Sequence, residues 1–187
     1  MPTKRGSRSG VGNGPRKGTE IVEFAFAFMP LIVMVLVFLD IAWAVFAKST
    51  LNYAVHAGLR YGITITGTQA TAANSDLAAM TKAVVQQNSI GLLAGSAGLA
   101  KIKIHFYQPA DPATNAAPTQ VDAAADANKP LNIMQVSVEG FSLSPLVPRI
   151  FSWSGPSGID NSSSPITATS YDMIEPSRDV PPKGTVP

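Results

Sequence analysis

The sequence predicts an α+β protein in which a long N-terminal transmembrane helix continues into a small extracytoplasmic domain. Three observations predict this class. Residues 24–47 form a long apolar run, residues 51–62 repeat apolar side chains at helical spacing, and three later segments have the character of β-strands. The domain should therefore combine the outer half of the long helix with a second helix and about three mostly antiparallel strands.

The apolar run from Phe24 to Ala47 predicts a membrane span. Its 24 residues rise about 36 Å as a helix, and a bilayer has a hydrocarbon core of about 30 Å. Residues 1–18 carry five basic residues and no acidic one, whereas the remainder carries nine basic and twelve acidic residues. Because a basic segment beside a span stays in the cytoplasm, we expect the domain to lie on the opposite side.

The basic segment 1–18 is rich in Gly, Ser, Arg and Lys, and we expect it to be disordered. It has no aromatic neighbours or folded scaffold, so nucleic-acid binding is not expected. A cleavable secretory signal would need a short apolar core of about 7–15 residues. Ala42-Trp43-Ala44 has the small-x-small pattern of a cleavage site, but the apolar run before it is too long.

Two carboxylates stand at the start of the span, in the step from Gly18 and Thr19 to Glu20, Glu23 and Phe24. A carboxylate at the edge of a bilayer is costly unless a partner neutralises it. Alternatively, both glutamates simply favour the positive end of the helix dipole in its first turn. These residues alone leave both interpretations open.

The spacing Gly18-x-x-x-x-Glu23-Phe24 behind a basic leader resembles the prepilin peptidase site of type IV pilins, in the variant used by tight-adherence (Tad/Flp) pili. The longer pattern is similar to the N-terminal region of TadE-like proteins, which are minor pilins or pseudopilins of that system. The matching elements are Glu23-Phe24-Ala25, Pro30, Asp40 and Ala54-x-x-x-Gly58-x-Arg60-Tyr61. The last of these departs slightly from the family pattern, with His56-Ala57 where an Arg-Glu pair is common.

The resemblance implies a minor pilin that helps to assemble or initiate a Tad pilus used in adhesion and biofilm formation. Prepilin peptidase would cleave between Gly18 and Thr19, and Glu23 with Phe24 would form an assembly contact with the amino group of a neighbouring subunit. The implied partners are the bacterial inner membrane, other pilin and pseudopilin subunits and the pilus assembly platform, with the domain in the periplasm. The alternative is an unprocessed, membrane-anchored periplasmic module that binds or senses a ligand.

Two residues interrupt the span. Pro30 removes one backbone donor, so we expect a bend or a loosened turn there. Asp40 lies about 8 Å beyond the centre of the span, and an intramembrane carboxylate indicates function. We expect it to contact another subunit's helix; the alternatives are protonation or exposure at a thinned outer leaflet.

Beyond the span, helical periodicity continues to residue 62, with His56 on the solvated face. A second helix is predicted over residues 75–93, capped by Asp76. The apolar side of the first helix comprises Leu51, Ala54, Val55, Gly58, Leu59 and Gly62, and that of the second comprises Leu77, Met80, Val84 and Ile90.

Residues 101–107 alternate as a strand, with Ile102, Ile104 and Phe106 inward and His105 outward beside Lys101 and Lys103. Residues 131–138 and 166–171 give two further strands, and the first of these has an ambiguous inward face. The sequence thus divides into a leader (1–18), a long helix (19–62), a domain (63–175) with a flexible loop (109–130), and a disordered tail (176–187). The apolar, proline-broken segment 141–153 is expected to plug the sheet or to touch a membrane or partner.

The sequence offers no catalytic constellation. It has no cysteine, which excludes disulfides and thiolate chemistry, and its two histidines lie on unrelated positions. Neither a phosphate-binding loop nor a metalloprotease motif is present. We therefore expect no enzymatic activity, no cofactor and no metal.

Overall fold

The structure is a computed structural model that describes residues 17–110, 113, 117–143, 164–176 and 178–186. It confirms the α+β class: a long N-terminal helix precedes a small domain of short helices and one antiparallel sheet. The helices are α1 (Lys17–Thr64), α2 (Gly67–Ala72), α3 (Leu77–Asn88) and α4 (Gly95–Leu99), and the strands are β1 (Ile102–Gln108), β2 (Thr119–Gln120), β3 (Ile133–Leu143) and β4 (Ser164–Met173).

Helix α1 is one continuous helix of 48 residues with two different halves. The first half is exposed, and buried positions begin at Ala47. In the second half the predicted inward face is confirmed, because all six of its predicted residues are buried. On the opposite face His56 is exposed, as expected, with its Nδ1 3.3 Å from the Ser170 hydroxyl on β4.

Two glycines let α1 approach the rest of the core closely. A Cβ on Gly58 would lie 2.2 Å from the Cγ2 of Val85 on α3, and one on Gly62 would lie 2.8 Å from Met134 Cε and from Thr81 Oγ1. Any side chain at these positions would collide with its neighbours. The glycines therefore set the distance between α1, α3 and the sheet.

Helix α3 confirms the predicted second helix and its cap. The Asp76 carboxylate accepts a hydrogen bond of 2.7 Å from the Ala79 N–H, which satisfies one free donor of the first turn. The helix ends at Asn88, earlier than predicted. Ile90 was predicted to be in the core but is 72% exposed, because it follows the helix in a tight turn; Val85 is buried instead.

Two short helices were not predicted. The long helix was expected to end at residue 62, yet α1 continues to Thr64 and α2 follows. Thr66 and Gln69 form a reciprocal capping box at the start of α2. Helix α4 lies just beyond residues 75–93, over which the second helix was predicted.

The sheet has the order β2-β1-β3-β4, and all neighbours are antiparallel. The predicted inward residues of β1 are buried, and the ambiguous face of β3 is resolved because Met134, Val136 and Val138 point into the core. Helix α1 lies over β3 and β4. The buried core therefore lies between α1, α3 and one face of the sheet.

Residues 117–130, the larger described part of the predicted flexible loop 109–130, contain a strand and turns. Residues 119 and 120 form β2, a strand in addition to the three that were predicted. The turns that follow bury Ala127 and Asn128. The Val121 N–H donates to the Phe106 carbonyl over 2.8 Å, which extends the pairing with β1. These contacts are long-range, and no periodicity in the sequence predicts them.

The tail is likewise not loose: residues 178–186, here called the C-terminal strap, dock on the domain. Its carbonyls at Pro182 and Lys183 accept hydrogen bonds of 2.9 and 3.2 Å from the Leu77 and Ala78 N–H groups. These are the first residues of α3, whose N–H groups have no partner within the helix. The strap thus completes the start of α3, which explains why the prediction of a disordered tail was wrong.

Arg178 anchors the strap from within the core. Its side chain donates 2.7 and 3.3 Å hydrogen bonds to the Gly62 and Ile65 carbonyls, and a 3.0 Å bond to the Asn128 carbonyl. Helix α1 has no basic residue in its own last turn, so the guanidinium supplies the favourable positive charge there. Burial lowers the pKa of Arg178, while Glu175 acts in the opposite direction.

The predicted plug over residues 141–153 lies mostly outside the described residues. Of this segment the structure describes residues 141–143, which form the end of β3. Phe141 is partly buried against the core, and the Lys101 ammonium lies 6.0 Å from the centre of its ring.

Candidate functional site

The candidate site is the first half of α1, from the start of the helix to Phe46. No residue between Glu20 and Phe46 is buried, and Phe26 is 77% exposed. The most apolar window of 18 residues has a mean hydropathy of 2.6 and is entirely uncovered by the rest of the described chain. A helix that is apolar on all sides needs a lipid or protein environment, so this half is suited to a membrane.

The predicted processing and assembly residues lie within the first two turns of α1. The helix begins at Lys17, so the backbone at Gly18 and Thr19 is helical, and Glu20 lies in the first turn. Glu23 and Phe24 follow one turn later and are exposed. Because the helix dipole acts mainly within the first turn, it accounts for Glu20 better than for Glu23.

Aromatic pairs mark both ends of the apolar run. Phe24 and Phe28 stack with ring centroids 5.4 Å apart, and Trp43 and Phe46 stack at 5.6 Å. Trp43 is 49% exposed, which suits an indole at a membrane–water interface. The described helix therefore has the aromatic belt expected at the end where the domain begins.

Pro30 and Asp40 also lie within α1, but they are far from the predicted processing and assembly residues in its first two turns. The 17 positions between Glu23 and Asp40 correspond to about 26 Å along the helix axis. Pro30 is inside the helix, where its missing N–H leaves the Phe26 carbonyl without the usual donor. The bend expected there stays a prediction.

Asp40 lies on the same face of α1 that packs against the domain beyond Ala47. It is half-buried, and Ala47, Leu51 and Gly58 follow it 7, 11 and 18 positions later. At about 100° per residue these positions share one face. The carboxylate therefore continues the packed stripe of the helix into the span.

A cluster of polar side chains around His105 was not predicted from the sequence. The His105 ring, expected to be solvated, is only 20% exposed, and its Nδ1 lies 2.6 Å from Asp122 Oδ2. The Phe106 N–H donates to Asp122 Oδ1 over 2.6 Å. Burial opposes ionisation of Asp122, but hydrogen bonds from His105, Phe106 and Gln120 outweigh it and lower the pKa.

The His105 cluster braces three segments of the domain. Lys183 of the strap donates to the Asp122 and Ala124 carbonyls over 2.6 and 2.8 Å. The cluster therefore ties β1, the turns after β2 and the strap together. No sequence spacing signals it, because the three segments meet only in the folded domain.

Together, the α+β fold and the exposed half-helix fit a membrane-anchored protein. Among the described residues, one helix is long and apolar enough to span a bilayer. A family model described as TadE-like protein matches residues 18–60, which confirms the resemblance carried by the helix motifs. The family links this chain to a pilus system in a membrane. The match begins at the predicted cleavage residue Gly18 and lies wholly within α1, so it does not cover the sheet. No curated protein and no solved structure matches the chain.

Proposed function

We propose that this protein is a minor pilin, or pseudopilin, that takes part in assembling or initiating a tight-adherence type IV pilus. The observation that carries the proposal is the uncovered apolar half of α1 within the TadE-like match. Such a helix can lie in lipid as a single subunit and pack against other helices in a fibre. The role is therefore structural, with no catalytic step assigned to the domain.

Processing by prepilin peptidase would separate Gly18 from Thr19 and remove residues 1–18. The amino group of Thr19 then becomes the new N-terminus, and Glu23 becomes the fifth residue of the mature chain. On insertion scales an unpaired carboxylate costs about 2.5–3.5 kcal/mol at the centre of a span, which is an upper bound for Glu23 at its edge. Pairing between Glu23 and the amino group of an adjacent subunit offsets this cost and favours assembly over the isolated subunit.

The proposed location is the bacterial inner membrane, with the N-terminus in the cytoplasm and the domain in the periplasm. Support comes from the five basic residues before the span and the positive-inside rule. Asp40 would contact the helix of another pilin or pseudopilin subunit, or of the assembly platform. Its position on the domain-facing stripe of α1 supports this proposal.

The mass of the membrane-purified protein tests the processing step. The expected result is a chain that begins at Thr19 in cells with prepilin peptidase and at Met1 in cells without it. An intact Met1 in both strains, or a start after Ala44, would overturn the proposal. An intact chain would favour the alternative of a permanently anchored periplasmic binding or sensor module.

Charge-neutral substitutions test the assembly contact. We expect Glu23→Gln to reduce co-purification of partner subunits and piliation, because the neutral amide no longer attracts an ammonium group. Glu20→Gln is the matched control, one turn away on the same exposed segment, and should have little effect. Equal effects of the two changes would refute a specific role for Glu23.

Unchanged partner recovery for Asp40→Asn would refute the proposed contact of Asp40.

A further inference from the structure

Helix α3 runs antiparallel to α1, so its C-terminal end points towards the membrane. The contacts that fix this direction join Gly58 to Val85 and Gly62 to Thr81. As α1 continues away from the span, α3 therefore returns towards it. Extending the same register to the end of α3 places Asn88 level with Val55, eight residues or about 12 Å beyond Ala47, and Ile90 follows in the turn at this end of the domain.

Strand β4 runs in the same direction as α1, because Ser170 lies beside His56, while Met134, the strand partner of Asp172, lies beside Gly62. The end of β3 and the start of β4 therefore also point towards the membrane. From Ala47 to His56 the helix rises about 13 Å, and from Ile166 to Ser170 the strand extends about 13 Å. Ile166, and its partner Phe141 on β3, therefore lie level with the end of the apolar run.

Ile90 occupies an unusual conformation at this end of the domain. It follows the α3 C-cap Ser89 with a φ of 50°, a position that glycine normally fills and that is strained for a β-branched side chain. Its side chain is 72% exposed, so the strain brings no burial in the core. Gln86 holds the turn, since its side-chain amide donates to the Leu93 carbonyl over 2.7 Å.

We propose that these residues form a lipid-contact surface, the membrane-proximal rim, which rests on the bilayer that α1 spans. The inference depends on the membrane anchor and not on cleavage or pilus assembly. Ile166 lies level with the end of the apolar run, and α3 ends about 12 Å above it. These heights lie on either side of the outer edge of the headgroup layer, which adds about 5–8 Å to each side of the hydrocarbon core. The rim consists of Ile90, Phe141, Ser142, Leu143 and Ile166, with Lys101 beside it.

Phospholipid is the occupant because the rim is continuous with a surface that already lies in lipid. Val45 and Phe46 of α1 are 61% and 46% exposed immediately below it. The apolar rim side chains suit the boundary between headgroups and acyl chains. Lys48 on α1 is exposed and Lys101 partly exposed, and each attracts anionic headgroups. Since α1 tethers the domain at this height, the contact requires no separate encounter.

Site-directed fluorescence tests the proposal, because a chain without cysteine allows single labels. The full-length protein carrying Ile90→Cys or Ser142→Cys is labelled with a small fluorophore and placed in nanodiscs at one copy per disc. The lipids are phosphatidylethanolamine and phosphatidylglycerol, with a fraction bearing a nitroxide quencher on the headgroup. Ala72→Cys is the matched control: Ala72 is exposed at the far end of the domain, beyond Thr64, which lies about 26 Å from Ala47.

The expected result is quenching at both rim positions that is at least about twofold stronger than at Ala72. One copy per disc excludes contacts between subunits, so quenching reports lipid alone. Quenching at either rim position no stronger than at Ala72 would overturn the proposal, even if the protein is processed and assembles as a pilin. The Ser142 label keeps the test valid if substitution at Ile90 alters its turn.

Discussion

The close packing of α1 on α3 predicts that Gly58→Ala destabilises the domain. The new methyl group would lie 2.2 Å from Val85 Cγ2 and 3.4 Å from the Thr81 carbonyl oxygen. Carbon atoms pack comfortably at about 3.5–4.0 Å, so the two helices must separate or Val85 must leave its position. Val85 is fully buried, which leaves it little room to move.

Two opposing effects set the magnitude of the Gly58→Ala change. Overpacking in a core costs about 1–3 kcal/mol, while replacing glycine by alanine inside a helix favours folding by about 1 kcal/mol. An approach of 2.2 Å is a severe overlap, so we take the upper part of the overpacking range, about 2–3 kcal/mol. The expected net loss in the free energy of unfolding is then about 1–2 kcal/mol. For a domain of this size each kcal/mol lowers Tm by about 2–8 °C.

A double-mutant cycle isolates the collision. Val85→Ala alone removes buried methyl groups and should cost about 2 kcal/mol. In the double variant the new methyl of residue 58 occupies the space that Val85 vacates. We therefore expect the combined loss to be smaller than the sum of the single losses by about 1 kcal/mol.

Thermal unfolding of the full chain in detergent, followed by near-UV circular dichroism of the domain tyrosines, measures these changes. Asn52→Ala is the matched control, because Asn52 is exposed on the opposite face of the same helix. It should alter stability by less than about 0.5 kcal/mol. An unchanged Tm for Gly58→Ala, or additive losses in the cycle, would refute close packing at this glycine.

Three further changes probe other contacts. Arg178→Ala should lower stability by about 2–4 kcal/mol, because three buried carbonyls lose their donor, and it should increase proteolysis of the strap. Asp122→Asn should flatten the acid limb of a Tm–pH curve below about pH 4: the lowered pKa of Asp122 contributes stability above its ordinary pKa, and this is lost as pH falls through the folded pKa. Ile90→Asn should raise stability by about 1 kcal/mol, because asparagine tolerates the left-handed conformation and the exposed isoleucine contributes little burial.

Each of these expectations has an outcome that contradicts it. Arg178→Lys should restore little stability, since an ammonium cannot span three carbonyls as a guanidinium does; full rescue would show that charge alone matters. For Asp122→Asn, an acid limb identical to that of the unsubstituted protein would exclude Asp122 as a source of acid sensitivity. For Ile90→Asn, a fall in Tm would show that the turn is not strained.

The sequence by itself determined the parts of this protein that repeat a local pattern. The span follows from the long apolar run, the outer half of α1 from its helical stripe, and β1 from the alternation of Ile102, Ile104 and Phe106. The span is apolar on all sides, while the other two elements each bury one face, so the same residue type or spacing recurs several times in the chain. The TadE-like motif was recognisable for the same reason, since it lies entirely within α1.

Only the tertiary structure determined the individual contacts that join segments far apart in the sequence. Arg178 reaches the Gly62 carbonyl across 116 positions of sequence, and Asp122 meets His105 across 17. The exposed, strained Ile90 looked like a core residue because its spacing fits a helix that in fact ends at Asn88. Such contacts depend on which elements happen to adjoin after folding, and a single hydrogen bond leaves no periodic signal in the chain.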